Sequence, residues 1–173
     1  MGTGPLVVGV ADLLRRSGSH RQEHLEVVLD GLRGTGSAVP EGEPVTLDLR
    51  LQSLNAGIVV TGTVSARWEG ECRRCLRTVS SELEVAVQEV FEAEPIEGET
   101  SKLDVDRIDL EPLAREAILL ELPLAPLCRD DCAGLCPVCG ADRAETALTG
   151  GCGHEEAAVD RRWAALDEIR FDA

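Results

Sequence analysis

Seven cysteines and one histidine are the residues that could do chemistry in this chain. Six of the cysteines form close pairs: Cys72-x2-Cys75, Cys128-x3-Cys132 and Cys136-x2-Cys139. The seventh, Cys152, is separated from His154 by a single glycine. Zinc takes four thiolate or imidazole ligands, and two ligands on one tight turn can reach the same ion at about 2.0–2.3 Å. Four such pairs suffice for two tetrahedral sites. The Cys136-Pro137-Val138-Cys139-Gly140 turn is the strongest signal. Its spacing turns both sulfurs inward, its backbone N–H groups can bond the thiolates, and Gly140 relieves the backbone after the second ligand. It resembles the knuckle of a zinc ribbon.

The spacing prefers one grouping. Cys136, Cys139, Cys152 and His154 are contiguous and would close a loop of ribbon size. Cys72, Cys75, Cys128 and Cys132 would then staple two segments far apart in sequence, where loop closure is entropically costly. Pairing Cys128 and Cys132 with Cys136 and Cys139 is the rival arrangement. Other chemistries fit less well. An odd cysteine count and an expected reducing compartment oppose a disulfide scaffold. A thioredoxin-like pair belongs at a helix start inside a βαβ unit, whereas Cys72 lies between strands. Catalytic zinc keeps a position open for water, and eight donors fill two ions. The Cys-Gly-His end argues for zinc over an iron–sulfur cluster. The expected cofactor is therefore Zn²⁺, one or two per chain, in closed structural sites.

Arg67, Arg73, Arg74 and Arg77 surround the first pair. Cations there would lower thiolate pKa values and balance the site's charge; they could alternatively form a patch for rRNA or an acidic partner. His20 and His24 are four apart, but Arg21 stands where a His-Glu-x-x-His protease needs glutamate. No phosphate-binding loop and no Gly-x-Ser-x-Gly elbow is present.

Alternation supplies the scaffold for these donors. Val45, Leu47, Leu49 and Leu51 alternate with polar residues, Ile58 to Trp68 is rich in β-branched residues, and Leu83, Val85 and Val87 alternate again. These three strands, joined by short turns, predict an antiparallel meander. Leu25, Val27 and Leu29 suggest a further strand. Glu92 to Asp106, acidic and broken by Pro95 and Gly98, reads as a solvated loop. A helix is predicted from about Asp109, with Pro112 in its first turn and Leu110, Leu113, Ala114, Ala117 and Ile118 on one face; Pro123 and Pro126 end it. A last short helix, capped by Asp160, carries Trp163, Leu166 and Ile169. The fold class is α+β: an antiparallel β-meander with a packed helix and a C-terminal zinc-ribbon segment. Residues 1–127 form the sheet domain with one helix, and 128–173 the ribbon segment and C-terminal helix.

Composition limits the function. The 173 residues carry 32 acidic and 17 basic side chains, a net charge of −15, with a mean hydropathy of −0.04. From Leu83 to Ala125, twelve acids face three bases. Such a chain is repelled by bulk nucleic acid, and two tryptophans, two phenylalanines and no tyrosine poorly supply a base-stacking surface. No apolar run is long enough to span a bilayer and no basic residue precedes the apolar Pro5–Ala11 stretch, so a cytoplasmic protein is expected.

Cys72-Arg73-Arg74-Cys75-Leu76, Leu124-Ala125-Pro126-Leu127-Cys128, Asp131-Cys132-Ala133-Gly134-Leu135-Cys136-Pro137-Val138-Cys139-Gly140-Ala141 and Asp160-Arg161-Arg162-Trp163-Ala164-Ala165-Leu166 resemble, in order, the YceD family, over roughly residues 5–170. Family members are named for accumulation of the large-subunit ribosomal RNA. The resemblance implies a non-enzymatic factor supporting large ribosomal subunit assembly or 23S rRNA accumulation in a bacterial cytoplasm. Family members often neighbour the gene of a small, very basic zinc-ribbon protein of the large subunit, which points to such a ribosomal protein, or an assembly intermediate, as partner. A direct rRNA-binding protein using the four arginines is one alternative, and a metal-dependent or redox enzyme another. No membrane and no small-molecule substrate are expected. Two departures stand out: His154 replaces the usual last cysteine, and the stretch between Cys139 and Cys152 is longer than usual.

Overall fold

A computed structural model describes residues 6–55, 57–147 and 150–154. In chain order the elements are β1 (Val7–Gly9), α1 (Ala11–Leu14), β2 (His20–Val28), β3 (Ser37–Ala38), β4 (Pro44–Ser53), β5 (Gly57–Glu71), β6 (Thr78–Glu92), β7 (Ser101–Asp104), β8 (Arg107–Asp109), α2 (Glu111–Glu121) and α3 (Arg143–Ala147). The architecture is α+β and rich in sheet. Strand order is β1-β8-β7-β6-β5-β4-β2, with β3 pairing β5 off that path.

The long strands follow their alternation. In β4, Val45, Leu47, Leu49 and Leu51 are buried while Asp48 and Arg50 are exposed. Strand β4 pairs antiparallel with β5, from Val45↔Ala66 to Ser53↔Ile58, and β5 pairs antiparallel with β6, from Gly57↔Glu92 to Glu71↔Thr78. A period of two sends each strand's apolar set to one side, so Leu47, Val64 and Val85 stand in one row across three strands. Strand β2 adds to β4 over nine residue pairs, with Leu25 opposite Leu47. The sheet is mixed, because β6 and β7 pair in parallel at Phe91–Ser101 and Glu92–Lys102.

Helix α2 closes the core. Leu110, Ala114, Ala117, Ile118 and Leu122 are buried, a spacing of three and four that makes one stripe. Asp109 Oδ1 accepts a hydrogen bond from the Glu111 N–H at 2.9 Å at the helix start. The stripe packs on β5 and β6, where burial of a side chain such as Ile118 contributes about 2–3 kcal/mol.

One expectation needs correcting. The segment 92–106 is not a loop throughout: β7 and β8 form a tight antiparallel hairpin, with Leu103 opposite Ile108. Each strand buries one apolar side chain, Leu103 and Ile108, so neither shows a readable alternation. Val105 holds φ +57° at the turn between them. Strand β1, helix α1 and the short α3 likewise go beyond the sequence-based expectations. The helix expected from Asp160 through Ile169 lies outside the described residues.

Candidate metal centres

Two turns present the first ligand of each centre, and they are built alike. In the turn between β5 and β6, Cys72 N–H donates to the Arg77 carbonyl (2.8 Å) and Leu76 N–H to the Cys72 carbonyl (2.9 Å). In the later turn, Cys136 N–H donates to the Ala141 carbonyl (2.8 Å) and Gly140 N–H to the Cys136 carbonyl (2.8 Å). Both turns fold the sulfurs of a Cys-x2-Cys pair to the same side, and the residue after the second cysteine has positive φ in each: +60° at Leu76 and +72° at Gly140.

Eight donors gather in two groups. Cys72, Cys75, Cys128 and Cys132 form one, and Cys136, Cys139, Cys152 and His154 the other; within each group the ligand atoms lie within 4.8 Å of one another. The structure therefore places the pairs in the grouping that spacing prefers, not in the rival one. Cys72 Sγ and Cys132 Sγ are 3.8 Å apart, and Cys75 Sγ and Cys128 Sγ 3.6 Å. A disulfide requires about 2.05 Å. A tetrahedral ion bound at about 2.3 Å sets its sulfurs about 3.8 Å apart. Cys136 Sγ lies 3.8 Å from His154 Nδ1. Either group could hold a metal ion. Cys72, Cys75 and Cys132 are buried against Val79, Leu127 and Leu135, whereas in the second group only Cys136 is buried.

The electrostatics favour a cation. Cys72 is lowered to about 6 by backbone N–H groups, that of Cys128 first and then those of Cys75 and Arg74, against the opposing effect of burial. Cys136 is lowered to about 6 in the same way by the Cys139 and Val138 N–H groups. Cys128 is pushed up to about 12, first by its neighbour Cys132 and then by burial. Cys72 and Cys136 thus form thiolates readily, whereas Cys75, Cys128 and Cys139, each crowded by neighbouring thiols, resist ionisation. A divalent ion removes that resistance.

Besides the Arg74 N–H that helps lower Cys72 and the Arg77 N–H that acts on Cys75, the arginine side chains make structural contacts. Arg74 Nη1 donates to the carbonyls of Asp130 and Cys132, both at 3.0 Å, and its own carbonyl accepts from Leu135 N–H at 3.0 Å. Arg77 pairs with Asp142 and Glu145 (2.7 Å to the latter). Arg73 N–H donates to the Pro126 carbonyl at 2.9 Å. These contacts strap the sheet's turn to the segment that carries the other six donors. Arg67, on the outer face of β5, is 3.0 Å from Glu69 and 3.7 Å from Glu43. Asp142 also accepts from the Ala144 N–H (2.8 Å) and so caps α3. Sequence reasoning missed that residue; Asp142-Arg143-Ala144-Glu145 has the spacing of a capping box and could have revealed it. His24 is exposed, its Nδ1 2.6 Å from Asp48 Oδ1.

The profile of the large ribosomal RNA subunit accumulation protein YceD matches residues 60–170, a stretch that contains all eight donors. The chain belongs to the YceD family. It is 38% identical over 173 residues to uncharacterized proteins of Mycobacterium bovis and Mycobacterium tuberculosis, covering 95% of this chain and 81% of theirs. An uncharacterized protein of Mycobacterium leprae is 37% identical over 136 residues, covering 74% of this chain and 60% of that protein. No solved structure matches the chain. The description of the YceD family concerns accumulation of the large ribosomal RNA subunit and names no reaction. Among the described residues, no helix is long and apolar enough to cross a membrane.

Proposed function

We propose that this YceD-family chain is a zinc-braced, non-enzymatic factor of the bacterial cytoplasm that supports accumulation of the large ribosomal subunit by holding a basic ribosomal protein, alone or within an assembly intermediate. The observation that carries the reading is the pair of four-donor groups in a chain of net charge −15. A closed four-ligand site gives the metal a structural role. In this reading Cys72, Cys75, Cys128 and Cys132 hold one Zn²⁺, and Cys136, Cys139, Cys152 and His154 the other. Residues 128–173 then act as a ribbon unit braced against the meander of residues 1–127. A zinc ion held by four thiolates carries about −2, and one held by three thiolates and an imidazole about −1, so loading leaves the protein more acidic.

The acidic stretch from Glu82 to Glu121 supplies the binding surface. It would attract a basic ribosomal protein at long range and shield it from premature contact with RNA. The arginine contacts favour this reading over direct rRNA binding: Arg67 and Arg77 already face carboxylates, and Arg74 faces backbone carbonyls. An RNA site made of Arg67, Arg73, Arg74 and Arg77 would have to break those contacts at three of its four members, Arg67, Arg74 and Arg77. No small-molecule substrate enters this reading.

Binding of the zinc-loaded protein to purified large-subunit proteins, titrated with salt, tests the proposal. Affinity for basic ribosomal proteins should fall steeply as salt rises. Affinity that is flat across the titration would remove the electrostatic account.

A further inference from the structure

Strand β6 pairs with β5 along its full fifteen residues. On its other side, β7 pairs only with Phe91 and Glu92. Among the described residues, the outer edge from Val79 to Val90 therefore has no partner strand. An antiparallel ladder uses every second peptide of a strand, so the remaining N–H and C=O groups of that edge point away from β5.

A groove of about 380 Å³ lies along this edge. The strand contributes the consecutive residues Val85 to Glu89, and α2 contributes Leu113, Glu116, Ala117, Leu120 and Glu121. Consecutive strand residues point to opposite faces. Five in a row border one groove only where the groove runs beside the strand's edge. Its floor is apolar: Val85, Val87 and Leu113 are half-buried, and Leu120 is 78% exposed. Its rim is acidic, with Glu89, Glu116 and Glu121.

We propose that the free edge of β6 and the groove beside α2 dock an extended basic segment of a protein partner, which adds to the sheet as a further strand. Main-chain hydrogen bonds to β6 supply affinity that does not depend on side chains, and alternate apolar side chains of the segment reach the groove and Leu120. Lysines or arginines at other positions of that same groove-facing side meet Glu89, Glu116 and Glu121, because the residues in between point to the opposite side of the sheet. The same carboxylates repel the acidic edges of other copies of this chain, so the edge rejects self-association while accepting a basic strand. RNA is excluded by the same charge and has no strand to add. The inference rests on the basic-partner reading above and narrows it to one edge and one backbone conformation.

The test uses the full, zinc-loaded chain and a synthetic peptide in which valine and lysine take turns at every second position, with threonine between them, so that one face carries both. About twelve residues, at ~3.3 Å each, span the edge. A peptide of the same sequence, N-methylated at every residue, keeps the charge and loses the donors. The first peptide should bind at least about tenfold more tightly than the second and slow hydrogen exchange of alternate amides between Val79 and Val90. Glu116→Gln with Glu121→Gln, and separately Leu120→Ser, should each weaken it several-fold while leaving the thermal midpoint unchanged. Equal binding of the two peptides would overturn edge pairing and leave the electrostatic reading standing. Outward-pointing amides between Val79 and Val90, those not bonded to β5, that are already as protected in the free protein as the amides of β5 would overturn it too. Loss of peptide binding with ribosomal proteins still bound would reject the edge alone; loss of both would reject the basic-partner reading as well.

Discussion

Leu76 and Gly140 occupy the same place in two equivalent turns. Each follows the second cysteine of a Cys-x2-Cys pair, each donates its N–H to the carbonyl of the first cysteine, and each holds a left-handed backbone, φ +60° and +72°. Glycine adopts that conformation freely; a leucine is strained there by about 1–2 kcal/mol. Leu76 is 59% exposed, so little burial offsets the strain. The turn is held by its surroundings: the hydrogen bond from Cys72 N–H to Arg77 and, in the proposed reading, the ion.

Exchanging the two residue types tests this equivalence. Leu76→Gly should raise stability by about 0.5–1 kcal/mol, the relief of strain less the extra unfolded-state entropy of glycine. Gly140→Leu should lower it by about 1–2 kcal/mol. Denaturant unfolding of the metal-loaded protein measures both. Equal and small effects would mean that the two turns are not held alike.

Metal removal should act unevenly. A chelator is expected to expose amides in residues 128–154 first, while β4, β5 and β6 keep their protection, because structural zinc supplies folding free energy on the order of 10 kcal/mol to a segment with little apolar burial. Hydrogen exchange with and without chelator reports the result. Unchanged exchange in 128–154 would contradict it.

Two single substitutions separate the centres. Cys72→Ser and Cys136→Ser should each lower the zinc content from about two ions per chain to about one. They should differ in reach. The first loosens the tie between the β5–β6 turn and residues 128–132; the second leaves that tie in place. Metal analysis of native protein, with limited proteolysis near residue 128, distinguishes them. A wild-type content of zero would defeat the zinc reading.

At Gly62 the backbones of β5 and β4 leave no room for a side chain. A β-carbon there would stand 2.1 Å from the Asp48 carbonyl oxygen and 2.9 Å from Leu49 Cα, at φ +150°. Neither neighbour is a movable side-chain end. Gly62→Ala should therefore destabilise by about 2–3 kcal/mol or more, whereas alanine at the exposed Gly98, where nothing lies within 4 Å, should cost only the strain of its positive φ. Thermal midpoints of the two variants decide the matter.

The pH dependence of the sheet should carry a signature of His24. Its pKa is raised above 6.5, first by the hydrogen bond to Asp48, then by the charge of that carboxylate and by Glu26, against the opposing effect of burial. A raised base stabilises the fold in its protonated form. The contribution is whole below about pH 6.5 and disappears as the pH climbs through the folded value. At so exposed a site the effect on stability is small, so the imidazole resonances are the better measure. They should titrate above 6.5 in the wild type, and Asp48→Asn should bring the midpoint down. An unmoved midpoint would mean that the pair does not persist in solution.

Local signals carried much of this protein. Donor types, the spacing inside each cysteine pair and the alternation in β4, β5 and β6 were readable because a turn or a strand is decided by residues a few positions apart. The β7–β8 hairpin was not, since strands of four and three residues with one buried side chain each leave no pattern among the surrounding acids.

The roles of the arginines were also beyond a linear reading. Arg73, Arg74 and Arg77 look like a basic patch when written in a row, but Arg77 meets Asp142 and Arg74 meets the carbonyls of Asp130 and Cys132. The amino-acid order by itself determined which side chains could bind a soft cation and which strands would bury one face. Only the tertiary structure decided which pairs stand together, where the positive charges are spent and that the outer edge of β6 lacks a neighbouring strand among the described residues. The first donor group and the contacts of Arg74 and Arg77 join residues more than fifty positions apart, whose geometry no local periodicity encodes.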